Sequence, residues 1–272
     1  MWRGKLFAFG QDAKTIKSHG VIDTATGKPY AQAICYMAPA DVSGGTTLCA
    51  NAEIAGCKDL CLNYAGNGRY NSVQESRIRK ALWFKQDQES FMLAMAQDVE
   101  RFIKYCEKKG FIPVFRPNGT SDIRFERIRL QSWDGLNIFE RFPSIQFLDY
   151  TKLWNRTKTA LPKNYHLTWS YSEASSLYAS QLKPVMEQGL NAAVVFEGEL
   201  PNTFKGYPVI NGDSHDLRFL DEKGVIVGLK PKGNRWRKLH NGFVIRKEST
   251  REKMIRWGLT TEKELRELEN AV

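Results

Sequence analysis

Seven short β-rich segments strung between residues 30 and 229 constrain this chain more than any other feature. They run Tyr30 to Met37, Phe111 to Phe115, Ile145 to Leu148, His166 to Trp169, Ala192 to Phe196, Tyr207 to Ile210 and Val225 to Leu229. Helical or irregular stretches such as Ser172 to Gln188 separate several of them. That is the spacing of repeated βα units, which build parallel sheets. A single α/β domain over residues 1–272 is expected, as a complete or partial (β/α) barrel or, alternatively, a doubly wound parallel sheet. The strongest helical signal covers residues 72–109, and Asp87-Gln-Glu-Ser90 interrupts it with a cap for a second helix. Thr260 to Asn270 reads as a capped, peripheral helix with acidic residues in its first turn.

Chemistry is concentrated after the first of these segments. Cys49, Cys57 and Cys61 fall within thirteen residues, and no fourth ligand lies close in sequence: Cys35 sits in the strand segment and His19 is further upstream. Three thiolates with an open coordination position suit a reactive iron–sulfur cluster, whereas structural zinc usually has four closed ligands. Cys106, inside the helical segment, reads as a core thiol.

The odd, clustered set of five cysteines suits a reducing compartment. No run of about 18 apolar residues is present, so a cytoplasmic protein without a membrane span is expected. The formal charge of +10 is uneven: Lys223 to Lys247 holds eight Lys or Arg and no Asp or Glu. Lys230, Lys232, Arg235, Arg237 and Lys238 surround Trp236 there, offering phosphate-binding charge beside a stacking ring, which makes nucleic acid the expected partner. A solvated basic surface would show the same composition.

In parallel α/β folds, functional residues gather beyond the carboxyl ends of the strands. The second strand segment runs into Asn118-Gly-Thr-Ser-Asp122, either a ligand-binding turn whose Gly119 lets a ligand approach or an ordinary capped loop. Later segments lead to Asp149 and Lys152, then to Glu173, and finally to the polar run Asp213, His215 and Asp216. Asp122, Lys152, Glu173 and Asp213 are the candidate catalytic residues, and Asn118, Gly119, Thr120 and Ser121 the candidate cofactor contacts. No G-x-S-x-G elbow, Walker loop or His-Glu-x-x-His helix occurs.

These pieces resemble a phage-borne family related to the radical SAM enzymes. The resemblance rests on Cys49-x7-Cys57-x3-Cys61, Asn118-Gly-Thr-Ser-Asp122, Tyr150-Thr-Lys152 and Thr168-Trp-Ser170, in order across residues 30 to 175; the relatives close the cysteine loop with x2 where this chain has x3. It implies a radical-SAM-like barrel in which Cys49, Cys57 and Cys61 bind a [4Fe-4S] cluster and one iron is left for S-adenosylmethionine (SAM). It further implies that residues 118–122 contact SAM and that the reaction modifies a nucleic acid or nucleobase. Two other readings fit the residues. One is an α/β-barrel enzyme of transglycosylase type, with Asp122, Asp149 or Asp213 as nucleophile or base and structural zinc on the cysteines. The other is a non-enzymatic nucleic-acid-binding protein whose zinc site is closed by Cys35 or His19.

Overall fold

The computed structural model describes residues 6–10, 13–156, 159–246, 258 and 261–264. In chain order the elements begin with β1 (Phe7–Ala8), α1 (Ala13–His19), β2 (Tyr30–Cys35), α2 (Asn71–Gln86), α3 (Gln88–Lys109), β3 (Ile112–Arg116), α4 (Ile138–Arg141), β4 (Gln146–Thr151) and β5 (Tyr165–Ser170). They continue with α5 (Ser176–Ala179), α6 (Leu182–Glu187), β6 (Ala192–Phe196), β7 (Thr203–Phe204), β8 (Tyr207–Asn211), β9 (Ile226–Leu229) and β10 (Val244–Ile245).

The strands form one sheet in the order β1-β2-β3-β4-β5-β6-β9-β8-β7, with β10 paired to β6 off this path. Every neighbouring pair from β2 through β8 is parallel, and only β1 and β7 run antiparallel to their partners. All seven expected strands are present. The additional ones, β1, β7 and β10, are two residues long, too short to carry a periodic signal.

The path from β1 to β7 does not close, yet the sheet is far from flat. Gly212 still bonds β9 through the Gly228 carbonyl, and four residues later Asp216 accepts a hydrogen bond from Gln32 on β2. Four residues span at most about 14 Å. Six strand spacings would put β8 about 29 Å from β2 in a flat sheet. The Asp and Gln side chains are too short to bridge that gap, so the sheet curls. Strands β2 to β6 also follow each other without the reversal of order that a doubly wound sheet requires. The result is an open, curled α/β sheet whose open side is filled by α1 and residues 212–220.

Alternation along the strands separates two faces. Phe115 and Phe147 join the main core under Phe91, Met95 and Phe102 of α3, while Tyr30, Val114 and Leu148 form a smaller cluster with Leu217 on the other face. Asp87 caps α3 by accepting from the Ser90 amide, and Gly110 ends it in a left-handed conformation. Each fully buried large apolar side chain of α3 contributes about 2 kcal/mol of transfer free energy. Two residues further along each strand, the face of Tyr30, Val114 and Leu148 carries Gln32, Arg116 and Tyr150. That face is therefore apolar at one end and polar at the carboxyl end, where a cavity opens. Of the C-terminal helix, only residues 261–264 are described: Thr261 and Glu264 cap each other reciprocally and are exposed. The rest of residues 260–270, and Lys247 of the basic segment, lie outside the described residues.

Candidate functional site

A cavity of about 260 Å³ lies beyond the carboxyl ends of the parallel strands, and Cys49, Cys57 and Cys61 line it together with the 118–122 turn and Lys152. All three thiols are free and half-buried. Burial pushes each of them up, Cys61 to about 11, and Cys57 and Cys61 both act electrostatically on Cys49. A metal that binds them must displace protons. Among the described residues, no group of three or more His, Cys, Asp or Glu side chains is placed to hold a metal ion, and the three thiols share one cavity wall.

The loop that carries them is fixed by α2. Arg77 donates to the Asn63 carbonyl at 3.0 Å and to its side-chain oxygen at 2.9 Å, and Gln74 exchanges hydrogen bonds with the same asparagine. The Asn63 amide in turn donates to Cys61 Sγ at 3.4 Å. Gly68 completes the lock, because a Cβ there would stand 2.0 Å from the Asn63 carbonyl oxygen. On the other side, Cys49 Sγ donates to the Thr120 carbonyl and the Asp122 amide donates to the Leu48 carbonyl. The cysteine loop and the 118–122 turn are thus one hydrogen-bonded unit.

Within the turn most side chains are occupied by the fold. Asn118 donates to Asp149 Oδ2 at 2.8 Å and to the Ile123 carbonyl, and its oxygen accepts from Ser121 and the Ile123 amide. Thr120 donates to the Met37 carbonyl at 2.6 Å. Gly119 answers to packing on β2: a Cβ would meet the Tyr36 ring, the Cys35 carbonyl and Ile34 at 2.6–2.7 Å. Gly119 also lines the cavity, so the close packing on β2 and an exposure to the cavity coexist at this position. Asp122 is buried; Arg156 pairs with one oxygen at 2.9 Å, and Thr151 and the Lys152 amide bond the other. Burial raises its carboxyl while Arg156 pulls it back down.

Lys152 follows β4, donates to Ser170 O and Oγ, and lies 4.4 Å from the Phe243 ring centre. Burial lowers its amine, with Cys57 the leading opposing influence. Asp213 lines the same cavity, but Lys232 and the Lys230 amide occupy its two oxygens at 2.6 and 2.8 Å. Glu173 does not reach the cavity wall: it is exposed, 3.0 Å from Lys205 and bonded by the Tyr171 hydroxyl. Of the basic segment, Lys230, Lys232 and Trp236 line the cavity, whereas Arg235 stacks on Tyr64, Arg237 sits against Trp236 and Lys238 is exposed. Neither Cys35, buried in the main core, nor His19, packed on Phe9 and Phe111, lines it.

Sequence reasoning passed over Arg116 and Lys14. Arg116 is buried, bonds Asp216 at 2.7 Å and stacks on Tyr150, whose hydroxyl donates to the same carboxylate. Against the cost of burial, Arg116, Lys14 and Arg218 hold Asp216 well below the usual carboxylate range. A buried arginine at the polar end of an otherwise apolar strand was the available signal.

The chain matches the family model of gene product 88 (GP88) over residues 6–247 and belongs to that phage-type family. No curated protein and no solved structure matches it.

Proposed function

From the three thiols that line one cavity beside the 118–122 turn, we propose that this chain is an iron–sulfur enzyme of radical-SAM type that modifies a nucleic acid or nucleobase. The observation that carries the reading is the placement of Cys49, Cys57 and Cys61 with the 118–122 turn in a single cavity at the carboxyl edge of a parallel sheet. Three cysteine thiols on one cavity wall are the donor set of a cluster that leaves one iron open, whereas structural zinc usually takes four protein ligands. When bound, such a cluster supplies the electron that cleaves SAM reductively.

The chain's own residues supply the rest. Cys49, Cys57 and Cys61 hold the cluster, and the Asn63 amide at Cys61 favours its thiolate. The turn at residues 118–122 shapes the wall beside it, and the buried Lys152 offers a hydrogen-bond donor next to the thiols. Phe243, Leu60 and Leu62 bring apolar surface to that wall, which limits water around a reactive species. Trp236 and the basic residues near the mouth favour a nucleic-acid substrate.

The test is turnover under strictly anaerobic conditions. Reconstituted, chemically reduced protein incubated with SAM should release 5′-deoxyadenosine, and the Cys49→Ser, Cys57→Ser and Cys61→Ser variants should not. Release at the same rate from the variants, or none from a wild type loaded with iron and sulfide, would overturn the reading.

A further inference from the structure

One edge of the cavity is formed where two distant segments meet. Cys61 caps the short 3-10 turn Leu62–Tyr64, and its carbonyl accepts from the Tyr64 amide at 3.1 Å, so a thiol and an aromatic ring sit on one turn. Opposite runs the strap between β9 and β10. Two ties fix it: Lys232 donates to Asp213 and Asn241 to the Gly56 carbonyl, each at 2.6 Å. Between those ties a Cβ on Gly233 would touch Ala65 at 3.8 Å, and the Arg235 guanidinium lies 4.4 Å from the centre of the Tyr64 ring. The two segments enclose a second, smaller groove lined by Tyr64, Ala65, Lys232, Gly233, Asn234 and Arg235. Leu60, Cys61 and Lys232 line both this groove and the cavity, so the two adjoin along a shared edge.

Neither segment carries a carboxylate: none lies between Asp59 and Glu75, or between Glu222 and Arg246. Tyr64 is 37 % exposed and Arg235 is exposed, so the stacked pair presents a flat face to solvent. Trp236, which lines the cavity itself, has the Arg237 and Arg246 guanidinium groups 5.6 Å from its ring centre. Rings backed by guanidinium groups, in a groove free of carboxylates, are platforms for unstacked bases. An acidic peptide would use the charge and leave the rings idle.

We propose that the groove at Tyr64 and Arg235 is a subsite for a nucleotide flanking the one that enters the cavity, so that the substrate is a single-stranded nucleic acid rather than a free nucleotide or an intact duplex. A base inside a duplex has both faces covered by its neighbours and must leave the stack to meet Tyr64. Because Cys61 and Tyr64 share one turn, a base stacked on Tyr64 brings the adjoining nucleotide to the edge of the thiol-lined cavity. The reaction of that adjoining nucleotide rests on the proposed function of the thiols; the stacking does not.

The test is fluorescence anisotropy on the full chain purified without oxygen. The probe is a labelled single strand of thymidylate or uridylate, whichever binds more tightly, about 12 nucleotides long, within the span of common single-strand sites. Tyr64→Ala should weaken its binding at least about tenfold, the worth of one base stack, and leave the slope of affinity against salt unchanged, because no charge is removed. Tyr64→Phe should keep wild-type affinity. Arg235→Ala should lower both affinity and slope, and Lys108→Ala, a charge change on an exposed part of α3, should lower neither. Tyr64 and Arg235 are both exposed, so the variants should fold, and each checks the other. Wild-type binding in Tyr64→Ala would overturn the subsite. So would a duplex, a thymidine monophosphate or a polyglutamate peptide that binds as tightly as the single strand, or an equal loss in Lys108→Ala. Binding that depends on Tyr64 in a chain that holds no iron or sulfide would sink the radical reading and leave the subsite intact; binding that ignores Tyr64 in a chain loaded with both would sink the subsite alone.

Discussion

Asp122 shows how a residue picked out by position can turn out to serve the scaffold as much as the site. Its two oxygens are taken by Arg156, Thr151 and the Lys152 amide, groups 29 to 34 residues away, and no local pattern in the sequence reveals such partners. Asp122→Ala leaves the buried Arg156 with Glu126 as its remaining carboxylate and is expected to cost about 3 kcal/mol of stability in urea unfolding. Full stability in that variant would mean that the carboxylate is spent on chemistry instead. Gly119 has a structural reason of the same kind, because a Cβ there would meet Ile34, Cys35 and Tyr36 while the residue also borders the cavity.

At the scale of elements, the strands and the paired helices were legible because each carries its own period and caps, as in the break at Asp87 between α2 and α3. The fixing of the cysteine loop was not, because it depends on Arg77 and Gln74 of α2 reaching Asn63. An arginine in a helix ordinarily reads as solvent-facing. Gly68→Ala is expected to push the Asn63 carbonyl out of place, leaving circular dichroism unchanged and lowering retention of iron by about tenfold or more, as loss of supporting contacts around a metal commonly does. Unchanged iron retention would show that the loop tolerates the shift.

On the scale of the whole molecule, the class of fold could be read from alternating strands and helices, but the curl of the sheet could not, since it depends on Asp216 meeting Gln32 across the open side. The same inner face carries His166 at the end away from the cavity. Burial, with Arg218 and Lys223 as neighbouring cations, lowers its imidazole to about 4. The unfolded chain therefore takes up a proton near pH 6.5 that the folded chain refuses until about pH 4. Stability should fall by up to about 3 kcal/mol as pH drops through that window, and His166→Asn should lose correspondingly less. Identical pH profiles would place the acid sensitivity elsewhere. For nucleic acid, replacing Arg235, Arg237 and Lys238 together by Ala should weaken oligonucleotide binding across sequences and flatten its salt dependence; unchanged binding would leave that cluster a solvated surface. The most direct test of the account is metal and sulfide analysis of the chain purified without oxygen. The wild type and Cys106→Ser should be brown and carry about four iron and four sulfide per chain, while Cys49→Ser, Cys57→Ser and Cys61→Ser each lose most of both. A colourless wild type with stoichiometric zinc, or iron and sulfide untouched by the three substitutions, would contradict it.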